Sequence, residues 1–576
     1  MNADTSRPGA HTAAAAPIPH PHPVPDQSGV NLFTSDPGLQ ALLSAYLAPE
    51  LLAHLQPRLT QLGALAGGTL DALAHTADKN PPELVHRTRA GIDRQMIVKH
   101  PAYVEMERLA FGEYALAAIS HRDDVLGWSG PLPATVKYTL TYLFVQAEFG
   151  LCCPVSMTDS LTRTLKKFGA PELVARYLPA LTSLDMDTLA QGAMFMTEQG
   201  AGSDIATTAT MAYPVDGAPG AYRLEGDKWF CSNPDAALAM VLARVDGGAP
   251  GLKGVSLFLL PRELEDGTRN AYRIIRLKDK LGTRSMASGE IRLEGARAYL
   301  VGEPGRGFVQ MADMVNNSRL SNGVRAAGLM RRAVSEALFI ARHREAFGRK
   351  LIALPLMRRQ LMKLLLPSEQ ARSMVFQTAE ALRRADAGDA QAYGLARILT
   401  PLIKFRACRD ARKVTGDAME VRGGCGYIEE WSDARLVRDA HLGSIWEGTS
   451  NIVALDVIRA IKRENALPIL MAHLAQLLQA ADLATVERDE FSGLMGRVQR
   501  LAEAAAADGG EPLARRAASA LYHLASAAAM HWEAARIGTL ERRHLAGLVV
   551  RHRLLPADPT AAGAADTAAE RFFLGD

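Results

Sequence analysis

The chain has 576 residues, 48% of them hydrophobic and 22% charged, with a formal net charge of +3. That length exceeds one compact core and calls for roughly three to four domains of ordinary globular composition, while so small a net charge carries no nucleic-acid argument by itself. Five cysteines without a CxxC or Cys/His ligand spacing exclude a disulfide framework and a metal centre.

Residues 1–30 are rich in Pro, Ala and His and lack the apolar content to bury a core, which predicts a disordered tail. His20 and His22 in "HPHP" read as part of that tail rather than as metal ligands. The tail has no basic-then-apolar signal layout, and no run of about 18 apolar residues follows anywhere. A soluble, cytoplasmic protein with no membrane partner is expected.

Over 31–188, "LQALLSAYLAPELLAHL", "VKYTLTYLFVQAEFG" and "DSLTRTLKKFG" repeat apolar residues at three and four, the pattern of an N-terminal helical domain. Over 189–306 the period changes. "AYRLEGDKWFCSN", "MVLARV", "GVSLFLLP" and "GEIRLEGARAYLVG" are short runs bounded by turn formers, which predict a middle β domain. From 307 to 462 three long amphipathic stretches, the first closed by Gly348, predict a four-helix bundle. Beyond Lys462 lysine vanishes and alanine dominates, so 463–576 is expected to be a C-terminal helical extension. The fold class is α+β multidomain, without internal repeats.

Four segments carry chemistry. In "MTEQGAGSDI" the backbone around Gly200 and Gly202 can approach an anion, and the Thr197 and Ser203 hydroxyls can bond a polar ring edge or a phosphate; alone, a polar turn explains it better. In "GDKWFCSN", Trp229 sits on a strand with Ser232 three residues on; a core or edge tryptophan is the ordinary reading, a stacking platform the functional one. In "RHREAFGRKL", Arg344 before Phe347 and Gly348 reads alone as a charged helix end with a glycine stop. In "GSIWEGTSNIVALDV", Glu447 lies between an apolar pair and a small-residue turn, where burying an acid costs energy unless it has a task. A surface or cap acid is the alternative.

Together these segments resemble the acyl-CoA dehydrogenase superfamily. Its MTE-x-x-x-GSD loop, strand Trp with a nearby hydroxyl, R-x-x-FG helix end, GG-x-GY turn and Y/W-E-G-T segment stand here in order at Met196–Asp204, Trp229–Ser232, Arg344–Gly348, Gly423–Tyr427 and Trp446–Thr449. The likeness covers about residues 90 to 462. "NPPELV", "RLKDKLGTRSMAS", "PLMRRQLMK" and "SIWEGTSNIVALDVIRAI", with the extension, are similar to the DNA-alkylation-response (AidB-type) branch. The resemblance implies a helical domain, a β-barrel-like domain and a four-helix bundle, with FAD between barrel and bundle. It further implies an acyl-CoA-like thioester substrate, a homotetramer, and for some members duplex DNA.

What the resemblance implies for single residues is specific. Glu447 corresponds to the base that removes the proton beside a thioester carbonyl, with hydride leaving for the flavin to give a 2-enoyl thioester. Met196, Thr197, Gly202, Ser203, Trp229, Phe230, Ser232, Gly424, Ile445, Trp446, Gly448, Thr449 and Asn451 correspond to FAD-binding positions. Arg344 corresponds to an arginine that reaches a neighbouring subunit's FAD pyrophosphate, and Arg319 to one near the base. Pro355 stands where many members keep a glutamine.

Three function classes compete: a working dehydrogenase, a DNA-binding flavoprotein with weak or vestigial dehydrogenation, and a scaffold. The DNA class draws on Arg536, Arg542, Arg543 and Arg551. Arg536 and Arg543 are seven apart and are expected to share a helical face, as a phosphate-contacting stripe would. A solvated helix face is the ordinary explanation of such a run, and no base-reading motif accompanies it.

Overall fold

The computed structural model describes residues 23–556, 558, 560 and 566–575; the His20/His22 pair and most of the expected tail lie outside them. The described part of that tail is not loose. Gln27 is buried and donates to Ser335 Oγ at 2.7 Å, and Gly29 N donates to Gly67 O at 2.7 Å, so packing begins before residue 30.

Helices α1 (Pro37–Tyr46), α2 (Pro49–Gly67) and α3 (Thr69–Lys79) open the N-terminal domain. Asp36 caps α1 by accepting from Leu39 N at 3.0 Å, and proline stands in the first turn of both α1 and α2, where its missing N–H costs nothing. A hairpin follows, β1 (Glu83–Arg87) and β2 (Asp93–Val98), in a region expected to be wholly helical. Its strands are too short and polar to stand out by periodicity. Tertiary contact holds it: Gln95 Oε1 accepts from Ile274 N at 2.8 Å, on the neighbouring barrel. Helices α4 (Pro101–Glu107), α5 (Ala134–Phe144), α6 (Cys152–Phe168) and α7 (Pro171–Leu181) complete the domain.

The middle domain has strands β3 (Gly192–Phe195), β4 (Met211–Pro214), β5 (Ala221–Ser232), β6 (Leu238–Val245), β7 (Val255–Pro261), β8 (Tyr272–Leu277) and β9 (Ser288–Val301). They close on themselves: β6 pairs with β7, β7 with β9, β9 with β5, β5 with β4, and β4 with β6. Closure leaves only short edges. The inward positions of β5, Leu224 and Cys231, are fully buried among Ile274, Ile291 and Phe258.

Helix α8 (Gly307–His343) begins the bundle. It ends earlier than the sequence predicts, because residues 345–350 turn back as a small hairpin, β10 (Glu345–Ala346) and β11 (Arg349–Lys350). Phe347 (φ +53°) and Gly348 (φ +73°) form its turn, and two consecutive positive φ values give the hairpin twist that suits a two-residue loop. The bundle continues with α9 (Pro355–Asp386), α10 (Ala390–Arg422), α11 (Ser432–Gly443) and α12 (Ser450–Glu464). Pro355 thus starts a helix, its best-tolerated place.

The extension is helical as expected: α13 (Ala466–Gln479), α14 (Thr485–Ala506), α15 (Ala514–Ile537), α16 (Leu540–Val549) and α17 (Thr567–Leu574). The small residues of α15 let it approach α9 and α10, so one apolar core runs unbroken from the N-terminal helices through bundle and extension. A buried ionic network crosses the same seam. Arg542 of α16 pairs with Glu369 of α9 and with Glu533 of α15, while Arg372 pairs with Glu369 and with Asp36, the α1 cap. Burial alone would raise the Glu369 carboxyl, but the Arg372, Arg542 and Arg331 charges outweigh it and hold it below its usual range.

Candidate active site

The loop 444–449 joins α11 to α12, and two helices hold its carbonyls. Lys404 Nζ of α10 donates to Trp446 O at 2.8 Å and to Gly448 O at 2.5 Å, and Arg319 Nε of α8 donates to Glu447 O at 3.0 Å. These bonds fix Glu447 at φ +55°, a left-handed backbone that costs a non-glycine residue on the order of 1 kcal/mol. Gly448 has φ +101°, and a Cβ there would meet Arg319 Nη2 at 3.2 Å, so only glycine suits the turn. Burial pushes the Lys404 ammonium down to about 8.

The clamp aims the side chain. Ser318 Oγ of α8 donates to Glu447 Oε1, and Glu447 Oε2 is buried without a hydrogen-bonding partner among the described residues. Beside it the Trp446 indole stacks on Phe149 at 6.1 Å, with the Arg325 guanidinium 4.7 Å from the Trp446 ring. Burial raises the Cys153 thiol, and Arg325, Glu447 and Ser232 are near enough to act on it. Ser232 at the end of β5, Cys153 of α6 and Glu447 therefore share one region between barrel and bundle.

The second part is the loop 196–204. Its anchor escaped the sequence argument. Glu198 is buried and accepts from Lys228 Nζ at 2.6 Å, Thr210 Oγ1 at 2.6 Å and Ala209 N at 2.7 Å, and Trp229 N donates to Thr197 O at 2.8 Å. With Glu198 held inside, Gly202 and Ser203 stay exposed while Met196 and Thr197 are half-buried. A Cβ at Gly200, Gly202 or Gly424 would meet nothing within 4 Å. Phe230 is 58% exposed and packs edge-on to Trp229 at 6.2 Å, whose other neighbour is the Lys278 ammonium, 3.3 Å over the ring. Open backbone at Gly200, Gly202 and Gly424 and an uncovered aromatic at Phe230 fit a planar cofactor with a polar edge and a phosphate tail, which is the chemistry of FAD.

The R-x-x-FG and GG-x-GY segments meet. Arg344 Nη1 donates to Arg422 O at 2.8 Å, beside Gly423, and Phe347 at the hairpin tip is 90% exposed. Ile445 and Thr449 are exposed on the Glu447 loop. Asn451 instead faces the extension, accepting from Arg515 Nη1 at 3.3 Å.

The arginine stripe does not form as predicted. α15 ends at Ile537 and α16 starts at Leu540, so Arg536 and Arg543 lie on different helices. Arg542 is 3% exposed and turned into the Glu369–Glu533 network, which removes it from any phosphate surface. Arg543 pairs with Glu487, Arg551 with Asp566, and Arg536 lies over Trp532 at 5.9 Å. A groove of about 870 Å³ beside Arg536, between α1, α9, α13 and α15, touches none of the Glu447 or 196–204 residues.

Three family models match the chain: the AidB N-terminal domain over 23–188, the acyl-CoA dehydrogenase middle domain over 193–296, and the acyl-CoA dehydrogenase C-terminal domain over 305–462. The chain is 36% identical to AidB of Escherichia coli (strain K12) over 413 residues, 69% of this chain and 72% of that protein. It is 31% identical to acyl-CoA dehydrogenase family member 11 of Caenorhabditis elegans over 460 residues, 78% of this chain and 73% of that protein. The crystal structure of Caenorhabditis elegans ACDH-11 in complex with C11-CoA superposes with a TM-score of 0.87 at 27% identity, covering 96% of each chain. The apo form of Bd2924 gives 0.81 at 31% identity, covering 88% of this chain and 99% of that one.

Proposed function

The chain belongs to the acyl-CoA dehydrogenase family of FAD-dependent oxidoreductases, on its AidB-type branch, and from that premise we propose that Glu447 is the base that deprotonates an acyl thioester at the carbon beside its carbonyl. The observation that carries this is the asymmetry of the carboxylate: Oε1 is held by Ser318, and Oε2 is buried with no partner among the described residues. A general base needs one oxygen fixed for aim and one free for the proton. The fixed backbone around Glu447, clamped by Lys404 and Arg319, keeps that oxygen from swinging out of line. The apolar faces of Phe149 and Trp446 exclude water beside it.

When bound, FAD supplies the two-electron oxidant, so the substrate loses an α-proton and a β-hydride and leaves as the 2-enoyl thioester. Thr197 and Ser203 would hold its ring edge and pyrophosphate, with Gly202 and Gly424 leaving room for it; Met196, Trp229, Phe230 and Ser232 would line the ring from the barrel side. Ile445, Trp446, Gly448 and Thr449 would line it from the bundle side. Asn451, bonded to Arg515, would contribute at the edge of that surface. An acyl-CoA substrate is supported by the C11-CoA complex of the Caenorhabditis elegans relative.

The proposal extends to a cytoplasmic homotetramer in which Arg344 reaches a neighbouring subunit's cofactor. The exposed Phe347 tip beside it supports a contact between copies. No helix among the described residues is long and apolar enough to cross a membrane. The test is anaerobic bleaching of the flavin by acyl-CoA. The wild type should bleach, and Glu447→Gln should retain FAD while bleaching at least about a hundredfold more slowly. An unchanged rate in the variant would move the base elsewhere.

A further inference from the structure

One face of α8 runs along the Glu447 loop. Ser318 donates to the carboxylate, Arg319 to the Glu447 carbonyl, and Asn322 Nδ2 to Gly443 O at 3.3 Å; Arg325, one turn further, lies 4.7 Å from the Trp446 ring and 5.4 Å from Phe149. The spacing of three, four and seven keeps these side chains on one stripe. From Ser318 to Arg325 the stripe covers about 10 Å along the axis.

Arg325 is 0% exposed. Its Nε donates only a long bond to Ser321 O, 3.4 Å, and both Nη1 and Nη2 are buried without a hydrogen-bonding partner among the described residues. The other buried cations nearby are spoken for: Arg319 pairs with Asp456 at 2.8 Å, and Lys404 binds two carbonyls. Stacking on two aromatic faces offsets part of the cost of burying Arg325 but satisfies none of its terminal N–H groups. Five buried atoms without a hydrogen-bonding partner among the described residues lie along this seam: Arg325 Nη1 and Nη2, Trp446 Nε1, Asn322 Oδ1 and Glu447 Oε2. The thiols beside it cannot serve as anions, since burial raises Cys152 and Cys153 and pushes Cys408 up to about 11.

Buried polar groups in folded proteins find partners, and a set that lacks them marks where a ligand supplies the complement. Three of these unmet atoms are donors, Arg325 Nη1 and Nη2 and Trp446 Nε1, and the first two carry a fixed positive charge; Asn322 Oδ1 and Glu447 Oε2 are acceptors. We propose that Arg325 receives a carboxylate at the far end of the acyl chain, so that the preferred substrates are thioesters of dicarboxylic acids rather than plain fatty acyl thioesters. A planar carboxylate matches the fork of a guanidinium. The inference rests on the acyl-thioester reading of the Glu447 region.

The experiment uses the full-length, FAD-loaded protein. Equilibrium binding of S-(5-carboxypentyl)-CoA and S-hexyl-CoA, thioethers that cannot be oxidised, is followed by calorimetry. Bleaching by adipyl-CoA and hexanoyl-CoA is measured in parallel. The wild type should bind the carboxylated thioether at least about tenfold more tightly. Arg325→Met, which keeps the apolar stem, should bring the ratio near one, and Arg325→Lys should retain part of it. Equal affinities in the wild type, tighter binding of the alkyl thioether, no binding of either, or an unchanged ratio in Arg325→Met would each overturn the inference. If Arg325→Met does not fold, the wild-type ratio and the Lys variant still decide. Carboxylate preference in binding with no bleaching by either thioester would sink the dehydrogenase reading and leave only the carboxylate-binding role of Arg325 standing. Bleaching by hexanoyl-CoA as fast as by adipyl-CoA, with equal affinities, would do the reverse.

Discussion

Ser318 and Glu447 lie 129 residues apart and meet as a hydroxyl donor and a single carboxylate oxygen, leaving the second oxygen free. Ser318→Ala should therefore loosen the aim of the carboxylate without emptying the cofactor site. A lost hydrogen bond to a charged acceptor is worth about 1.5–3 kcal/mol, so bleaching should slow by roughly tenfold to a hundredfold, with the flavin-to-protein ratio unchanged. A fall in flavin content of the same size would show that Ser318 supports the fold instead.

The loop 196–204 depends on Glu198 and Lys228, which are paired at 2.6 Å and buried. Lys228→Met should leave the Glu198 carboxylate without its cation, a loss of about 3–5 kcal/mol, and should lower FAD affinity along with melting temperature. Thr197→Val with Ser203→Ala should lower FAD affinity by about 1 kcal/mol per lost hydrogen bond and leave the melting temperature of the FAD-free protein unchanged. Equal FAD affinity in that double variant would reduce the loop to a turn.

Asp439 of α11 accepts from Thr283 N at 2.6 Å, and burial, with the nearby Glu148 charge, pushes its carboxyl up to about 7. The folded protein then binds this proton more tightly than the unfolded chain. Its contribution is fully present below the ordinary aspartate range and is lost as pH rises toward 7, roughly 4 kcal/mol in all. Asp439→Asn keeps an oxygen for Thr283 and cannot ionise. Urea unfolding at pH 5 and pH 8 should show a smaller loss of stability in the variant than in the wild type; identical pH dependence would place the titration elsewhere.

Duplex DNA binding, the second function read from the sequence, now rests on Arg536, Arg543 and Arg551. If they contact phosphates, log affinity for mixed-sequence duplex should fall with log salt by about 0.9 per contact, and replacing all three with Ala should flatten that slope without changing flavin content. No gel shift at low salt would leave them as solvated or ion-paired side chains. Arg542→Ala serves as the contrast, since it removes a buried partner of Glu369 and Glu533 and should cost about 3–5 kcal/mol of stability.

The three-layer order of helices, barrel and bundle was legible because each part has its own apolar period. The hairpin 83–98 was not, since Gln95 and Ile97 gain their partners only from the barrel. The Glu447 loop could be found from its motif, but its holders, Ser318 and Lys404, sit in helices where a serine or lysine carries no local signal. Glu198 stood inside a quoted motif and was passed over, because an acid in a glycine-rich loop looks solvated until Lys228 arrives from β5. Arg542 failed for the opposite reason. A run of arginines shows charge, whereas the acids that bury one of them come from positions 369 and 533.

Glu369 ties together pieces of chain that a domain map would separate, facing Arg372 in its own helix and Arg542 from the far end of the sequence. Clipping the polypeptide between α12 and α13 would strip one cation from that acid and bare the apolar seam beneath α15. Proteolytic fragments cut there should precipitate rather than persist as a trimmed enzyme. Heating should melt catalytic bundle and extension in one transition.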